Sequence, residues 1–580
     1  MPASRDKVND MKITVSALIV RYLERLGVEF IFGMPGAHVL PIYDQLHSSR
    51  VKSVLVKHEQ GAAFMAGGYA RVSHKIGACI ATAGPGATNL ITGIANAYAE
   101  RLPVLVITGE TSTYIFGKGG LQESSGEGGA IDQGELFRGI TRYHKLIERG
   151  DYLGQVLNQA TRALYARDPG PVLLSIPYNV QKEMVDADLL DHLHIPRHIP
   201  RHIPRHIPRH SERAPCGPVA ELARLIEAAQ VPVIVAGYGA IQAGARGVVS
   251  RLSEALGIPV ASSLKAKGVV SEGSHLSLGC LGVTSNGDAY RYIVEQADLV
   301  IFLGAGFNER TSYLWDSTLL AGKRVAQVDR DAAQLNKVFK ADVVIQGDIR
   351  EVLTELLARL ECDASSRSAA RVAALPRLER LAGHRQAAPQ PPACAQFRLM
   401  EAFFAGLAAR FPEDAMIFDD NIVFAQRYFD VSHANHYFPN TGISSLGHAI
   451  PAAIGARFHT RDLAIPTFAI LGDGGFQMCC MEIMTAVNYQ IPLNVVVINN
   501  ASMSLIRKNQ FQLYGERYID CDFINPDFRL LAQSFGIRHR RVECEADLAA
   551  LFSQDDLLGS INLIEILLDK DAFPSYLSAR

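Results

Sequence analysis

The chain has 580 residues, 48% of them hydrophobic and 20% charged, with a formal net charge of −2. That length exceeds what one hydrophobic core serves, so two to four domains are expected. The near-neutral balance supplies no global field for nucleic acid or an anionic membrane. No apolar run reaches about 18 residues, so no membrane-spanning helix is expected. The opening stretch MPASRDKVNDMKITVSALIVRYLERLG has no uninterrupted apolar core followed by a small-residue cleavage site. The 9 cysteines include no CxxC and no metal-like spacing, and Cys479 and Cys480 are adjacent, a poor geometry for a disulfide. A reducing, cytoplasmic setting is expected.

Residues 12–185 alternate short β-rich runs with amphipathic stretches such as VSALIVRYLERLG. The runs FIFGMPG, SVLVKHE, GACIATAGPG, PVLVITGE and PVLLSIP each end in glycine, proline or a polar residue. Strand, helix, strand at this spacing predicts βαβ units and a parallel sheet. The pattern stops across residues 186–215, where HIPR repeats four times from His194 and closes at His210. Proline at every fourth position forbids both a helix interior and a central strand, so an extended linker is expected. Five regularly spaced histidines and four arginines make a metal or anion tract the sharper but lesser alternative.

A second α/β segment covers residues 216–360, with strands in VPVIVAGYG, GIPVASS, DLVIFLGAG, RVAQVD and DVVIQGD. An Ala-, Arg- and Pro-rich linker at 361–395 leads to a third, 396–570, with strands in AMIFDD, PTFAILGDGG, PLNVVVINN and INLIEILL. The fold class is therefore α/β: three consecutive doubly wound domains with mainly parallel sheets. Ligands of such sheets sit at the carboxyl ends of the strands, which is where the chemistry-bearing residues fall.

In the third segment, FAILGDGGF reads as a buried strand, a tight turn and a helix starting near Phe476. Its glycines, Gly472, Gly474 and Gly475, would let backbone approach a phosphate at a helix N-terminus. Asp473 projects from this turn, and the next strand, LNVVVINN, delivers Asn500 to the same sheet edge. A carboxylate, an amide oxygen and backbone carbonyls are the hard ligands that Mg2+ on a diphosphate requires.

GDG, an amphipathic helix, a buried strand and NN at this interval resemble the thiamine diphosphate (ThDP) enzymes of pyruvate oxidase and acetohydroxyacid synthase architecture. The resemblance implies Asp473, Asn500 and the carbonyl of Ser502 as Mg2+ ligands. It names the three domains pyrimidine-binding, central Rossmann-like and diphosphate-binding. In SVLVKHEQGAAFMAGGYAR it implies that Glu59 hydrogen-bonds the aminopyrimidine and favours the imino tautomer that deprotonates the thiazolium carbon. In GISSLGHAIPAAIGA it implies that Leu446 props the cofactor in its bent shape and that the Ser444 carbonyl accepts from the aminopyrimidine. TAGPGATNLITGIANAY is a Gly-Pro turn opening a helix near the first domain's active edge, and the phosphate-side segment DDNIVFAQRYF, with Asn421, matches the family loosely. In this family the two half-sites belong to different subunits, so a homodimer is the expected minimum and a homotetramer is common.

FGMPGAHVLPIYDQL and IDQGELFRGITRYHKLI resemble acetolactate synthases, which implies a carboligase taking a 2-oxo acid, pyruvate being the expected donor, and a carbonyl acceptor. Gln133 falls on the motif glutamine near the substrate. Simple decarboxylases carry an acid after the first Pro-Gly and a His-His pair. Here the first position is Ala37, and residues 111–135 hold no such pair. The alternative is a 2-oxo acid decarboxylase or an acetyl-transferring enzyme on the same scaffold. The family tryptophan that selects 2-oxobutyrate falls near Asn509, and Asp132 replaces the loop phenylalanine, so branched-chain specificity is not implied. His38, His448, Gln477 and Arg507 are candidate acceptor-side contacts, with ordinary packing as the competing explanation. FLGAGFNERTS occupies the turn that holds FAD in some relatives. Many relatives keep this domain without flavin, and FAD is weighed here as the lesser expectation.

Overall fold

The computed structural model describes residues 12–191, 193, 195, 216–362, 374, 376–385, 397–412, 415–432, 437–553 and 556–573. The HIPR repeat lies outside these, apart from Ile195. Among the described residues three six-stranded sheets carry the fold, and every pairing within them is parallel. Their central strands are Val104–Glu110, Leu299–Leu303 and Leu493–Asn499, runs of Val, Ile and Leu buried on both faces as helix-covered parallel strands must be. Counting strands in chain order within each sheet, the first and third read 2-1-3-4-6-5 from edge to edge, and the middle one reads 3-2-1-4-5-6. The strand order reverses beside strand 1 in all three, which opens a crevice at the carboxyl ends there. A two-stranded antiparallel ribbon, Lys12–Thr14 with Met184–Asp186, ties the start of the first domain to its end.

Six paired segments among the described residues were not among the expected strands: Tyr143–Leu146, Ser277–Cys280, Tyr437–Pro439 and Arg538–Val542 on sheet edges, and both strands of the ribbon, Lys12–Thr14 and Met184–Asp186. The helix of the GDGG segment also starts earlier than expected, at Asp473 rather than Phe476, with Gly472 as its N-cap. The acidic Asp473 thus stands in the first turn, where the helix dipole favours negative charge. The Ala/Arg/Pro-rich stretch read as a linker contains docked helix. Residues 376–385 are helical, and Arg377 donates to the carbonyls of Leu256, Ile226 and Ala229 on the middle domain.

The first and third domains meet through helices Glu59–Ser73 and Ala449–His459. Both are rich in Gly and Ala, and the second is buried on nearly all sides. A Cβ at Gly68 would lie 2.1 Å from the Ala452 carbonyl oxygen, and one at Gly455 would lie 2.0 Å from that of Met65. Glycine at these two positions lets the backbones touch. An Arg71–Glu100 pair at 3.0 Å is buried at the same joint, Arg71 also donating to the Pro439 carbonyl. Among the described residues no helix is long and apolar enough to cross a membrane.

Candidate active site

The third sheet's crevice opens where Met416–Asp419 and Thr467–Gly472 lie side by side. Asp473 follows the second of these strands and is almost wholly buried. Its Oδ2 accepts from the backbone N–H of Asn500 (3.1 Å) and Ala501 (2.6 Å) and from Asn525 Nδ2 (2.7 Å), and Oδ1 accepts from Gly474 N–H. Burial pushes the Asp473 carboxyl up, and these hydrogen bonds pull against it. Asn500 stands at the end of the neighbouring strand, and its Nδ2 donates to Ser504 Oγ at 2.7 Å. That bond commits the amide's donor side and leaves Oδ1 as its acceptor. The Ser502 carbonyl accepts from Ser504 N–H at 2.9 Å, with a second lone pair to spare.

Two loops close over this edge. Asp420, fully buried, accepts from Gly447 N–H (2.6 Å) with one oxygen and from Asn440 Nδ2 (2.9 Å) with the other. A Cβ on Gly475 would sit 3.0 Å from Asp420 Oδ2, so the carboxylate that holds the loop bearing Ser444 and Leu446 also lies close against the GDGG turn. Burial raises Asp420 to about 7. Asn421 (φ +65°), Ser444 (φ +57°) and Ala501 (φ +52°) are non-glycine residues in the left-handed region. All three border the crevice, a clustering of backbone strain that points to a functional site. Asn421 Nδ2 lies 3.4 Å from the carbonyl of Ser444, an exposed residue, and Leu446 on the same loop is half-buried. Gly474 is pressed against Met503, whereas a Cβ at Gly472 would meet nothing within 4 Å, so the open side of the turn lies at Gly472.

In the first sheet, Glu59 opens the helix Glu59–Ser73, and its Oε2 accepts from Asn89 Nδ2 at 2.9 Å. Asn89 stands on the helix Pro85–Ala99, opened by the Gly-Pro turn. His38 sits in the 3-10 turn Ala37–Val39 after Pro35-Gly36, its Nδ1 3.2 Å from Thr82 Oγ1, and burial lowers its pKa. Gln133, 2% exposed, is turned into the sheet edge, where Nε2 donates to the Gly109 carbonyl and Ser175 Oγ, and Oε1 has no partner among the described residues.

The remaining candidates separate by what holds them. His448 packs edge-on against Phe64 in the joint between the first and third domains, 4% exposed, and burial lowers its pKa to about 4, so the ring is neutral near pH 7. Arg507 is spent on Asp522 (2.9 Å) and Asp571 (2.6 Å) and stacks on Tyr518. Gln477 is exposed and donates to Asn525 Oδ1 at 2.8 Å, and Asn509 is half-exposed on the helix Ser504–Leu513. Asn525, Asn89 and Asp420 were not singled out in the sequence. Each holds a candidate residue or its loop by a side-chain hydrogen bond. Asn89 and Asp420 stand inside stretches whose other residues drew attention, and Asn525 precedes a proline that makes it read as a turn.

The residues at the third crevice fit a magnesium diphosphate. Asp473, Asn500 and the Ser502 carbonyl present hard oxygens, backbone N–H groups of a helix N-terminus adjoin them, and Asn421 Oδ1 and Ser502 Oγ are buried oxygens without a partner among the described residues. Among the described residues no group of three or more His, Cys, Asp or Glu offers a metal site. A second cleft, about 390 Å³, lies at the reversal point of the middle sheet and is lined by Gly239, Gly304, Asp329, Arg330, Lys265 and Ser444.

Three family descriptions match the chain in order: "Thiamine pyrophosphate enzyme, N-terminal TPP binding domain" at residues 13–130, its central domain at 219–356, and its C-terminal TPP binding domain at 420–555. The acetolactate synthase of Mycobacterium bovis is 33% identical over 557 residues, covering 94% of this chain and 86% of that protein. The acetolactate synthase large subunit of Lactococcus lactis is 31% identical over 573 residues, covering 96% and 92%. The probable acetolactate synthase large subunit of Methanocaldococcus jannaschii is 31% identical over 558, covering 95% and 91%. With three domains matched in order and relatives at this identity along most of its length, the chain belongs to the thiamine pyrophosphate enzyme family.

Proposed function

We propose that the protein is a ThDP- and Mg2+-dependent carboligase that decarboxylates a 2-oxo acid, with pyruvate as donor, and joins the acyl unit left behind to a second carbonyl compound. The single observation that carries this reading is the pairing at adjacent strand ends. A buried Asp473 is ringed by N–H donors, and beside it the Asn500 amide is oriented by Ser504.

Asp473, Asn500 Oδ1 and the Ser502 carbonyl would hold Mg2+, and the first-turn N–H groups after Gly472 would receive the diphosphate. When bound, ThDP supplies the electron sink for breaking and making the carbon–carbon bond. Leu446 and the Ser444 carbonyl, on the loop pinned by Asp420, orient the heterocycle. Glu59, aimed by Asn89, moves a proton at the pyrimidine nitrogen. His38 and the groups around it shape the acceptor side. Gln133 supports that wall from beneath, and His448 belongs to the packing of the domain joint.

Carboligation is favoured over simple decarboxylation because no acid follows Pro35-Gly36, where Ala37 stands, and burial lowers the pKa of the adjoining His38, which disfavours its proton-donating form. The acetolactate synthase names of the relatives support the same choice. A homodimer, in which Glu59 and Asp473 of different subunits share a cleft, is the proposed minimum assembly. FAD stays the lesser reading for the middle cleft. The test is mass spectrometry of products from pyruvate, ThDP and Mg2+. Acetolactate-type or acetoin-type products are expected. Acetaldehyde alone, or acetyl phosphate made in phosphate buffer, would replace this reading with its alternative.

A further inference from the structure

Glu482 lies in the third domain, in the 3-10 turn Cys480–Glu482 that ends the segment begun by Asp473. Its side chain is 3% exposed and crosses to the first domain. There Oε1 accepts from the backbone N–H of Lys57 (3.1 Å) and His58 (2.9 Å), the two residues before Glu59. Thr485 Oγ1 holds the other oxygen at 2.9 Å. A Cβ at position 61 would stand 2.3 Å from Glu482 Oε1, so glycine at 61 is what admits the carboxylate. His58 in turn caps the helix Glu59–Ser73, its Nδ1 accepting from Gln60 N–H. The helix that carries Glu59 is therefore seated at its first turn by a side chain from another domain, while Asn89 holds only the tip of Glu59 itself.

Resting on the ThDP reading above, we propose that Glu482 is a positioning residue for Glu59: by accepting from the N–H groups of Lys57 and His58 it fixes where the proton-transferring carboxylate starts, and its role goes beyond stapling two domains. A catalytic carboxylate displaced by a fraction of an ångström loses its alignment with the proton it moves, and misplacement by about 1 Å costs about 100-fold in rate. A staple alone would set stability and leave turnover per folded molecule untouched.

The test compares Glu482→Ala and Glu482→Gln with the parent protein, each loaded with ThDP and Mg2+. Glu482→Ala is expected to lower kcat about 10- to 100-fold with KM for pyruvate held. It should also speed amide hydrogen exchange at residues 57–61 of the cofactor-free protein. Glu482→Gln, whose amide oxygen still accepts both N–H groups, is expected to restore most of the rate. Unchanged kcat per folded molecule and unchanged exchange in Glu482→Ala, with only a lower melting temperature, would overturn the proposal. Where Glu482→Ala does not fold, Thr485→Val loosens the same carboxylate from behind; a smaller loss of kcat with faster exchange at 57–61 supports the proposal, and parent values overturn it. Failure of the ThDP reading itself would show in the parent, as absent cofactor binding by calorimetry. Failure of this inference leaves parent and variant binding and turning over alike.

Discussion

The first and third sheets share one strand order, 2-1-3-4-6-5, yet their carboxyl edges are dressed for different tasks. In both, buried carboxylates gather the loops. Glu110 takes the N–H groups of Thr111 and Ser124 at the first edge, and Asp420 takes that of Gly447 at the third. The third edge adds a second acid and an amide at neighbouring strand tips, Asp473 and Asn500, with three left-handed non-glycine residues around them. The first edge offers no such pair. Its candidate chemistry is the half-buried carboxylate of Glu59, held by the Asn89 amide. Equal topology with unequal loops shows that the scaffold sets where a ligand sits, and the strand-end residues decide which part of it is held.

Substituting one residue at each edge separates the two roles. The largest expected effect is at the first edge. Glu59→Gln keeps an acceptor for Asn89 but cannot exchange a proton, so kcat should fall by about 10² to 10⁴ while calorimetric affinity for ThDP with Mg2+ stays near the parent value. Full turnover in Glu59→Gln would remove the proton-transfer role from the first edge. A smaller effect is expected at the third edge. Asn525→Ala frees Asp473 Oδ2 from one donor, and Mg2+ affinity should weaken by about 10-fold, read as the metal concentration that half-saturates ThDP binding. Parent-like half-saturation would mean that Asp473 needs no outer support.

The sequence made the centre of each sheet legible and left its margins unread. Leu493–Asn499 and Val104–Glu110 announce themselves by their apolar stretches VVVI and VLVI, apolar because both faces of these strands are covered. Arg538–Val542, written RHRRV, and Tyr143–Leu146, written YHKL, are edge strands whose side chains meet solvent or charge, so no hydrophobic pattern marks them. The same division runs through the site. Asp473, Asn500 and Glu59 stand in motifs whose spacing is visible in one dimension. The residues that aim them, Asn525, Asn89 and Glu482, are 52, 30 and 424 positions from the atoms they bond, and only folding brings them there. Arg507 illustrates the converse. An arginine near a candidate site reads as a ligand for a substrate carboxylate, but Asp522 and Asp571 already claim it.

The central claim is that the third edge grips a diphosphate through a metal held by Asp473 and Asn500. Isothermal titration of ThDP into the parent protein and into Asp473→Ala, each with Mg2+ and with a chelator, tests it most directly. The account predicts saturable binding by the parent with Mg2+, loss of that binding with chelator, and affinity weakened about 100-fold or more in Asp473→Ala. Binding by the parent that ignores the chelator, or undiminished binding by Asp473→Ala, would contradict it.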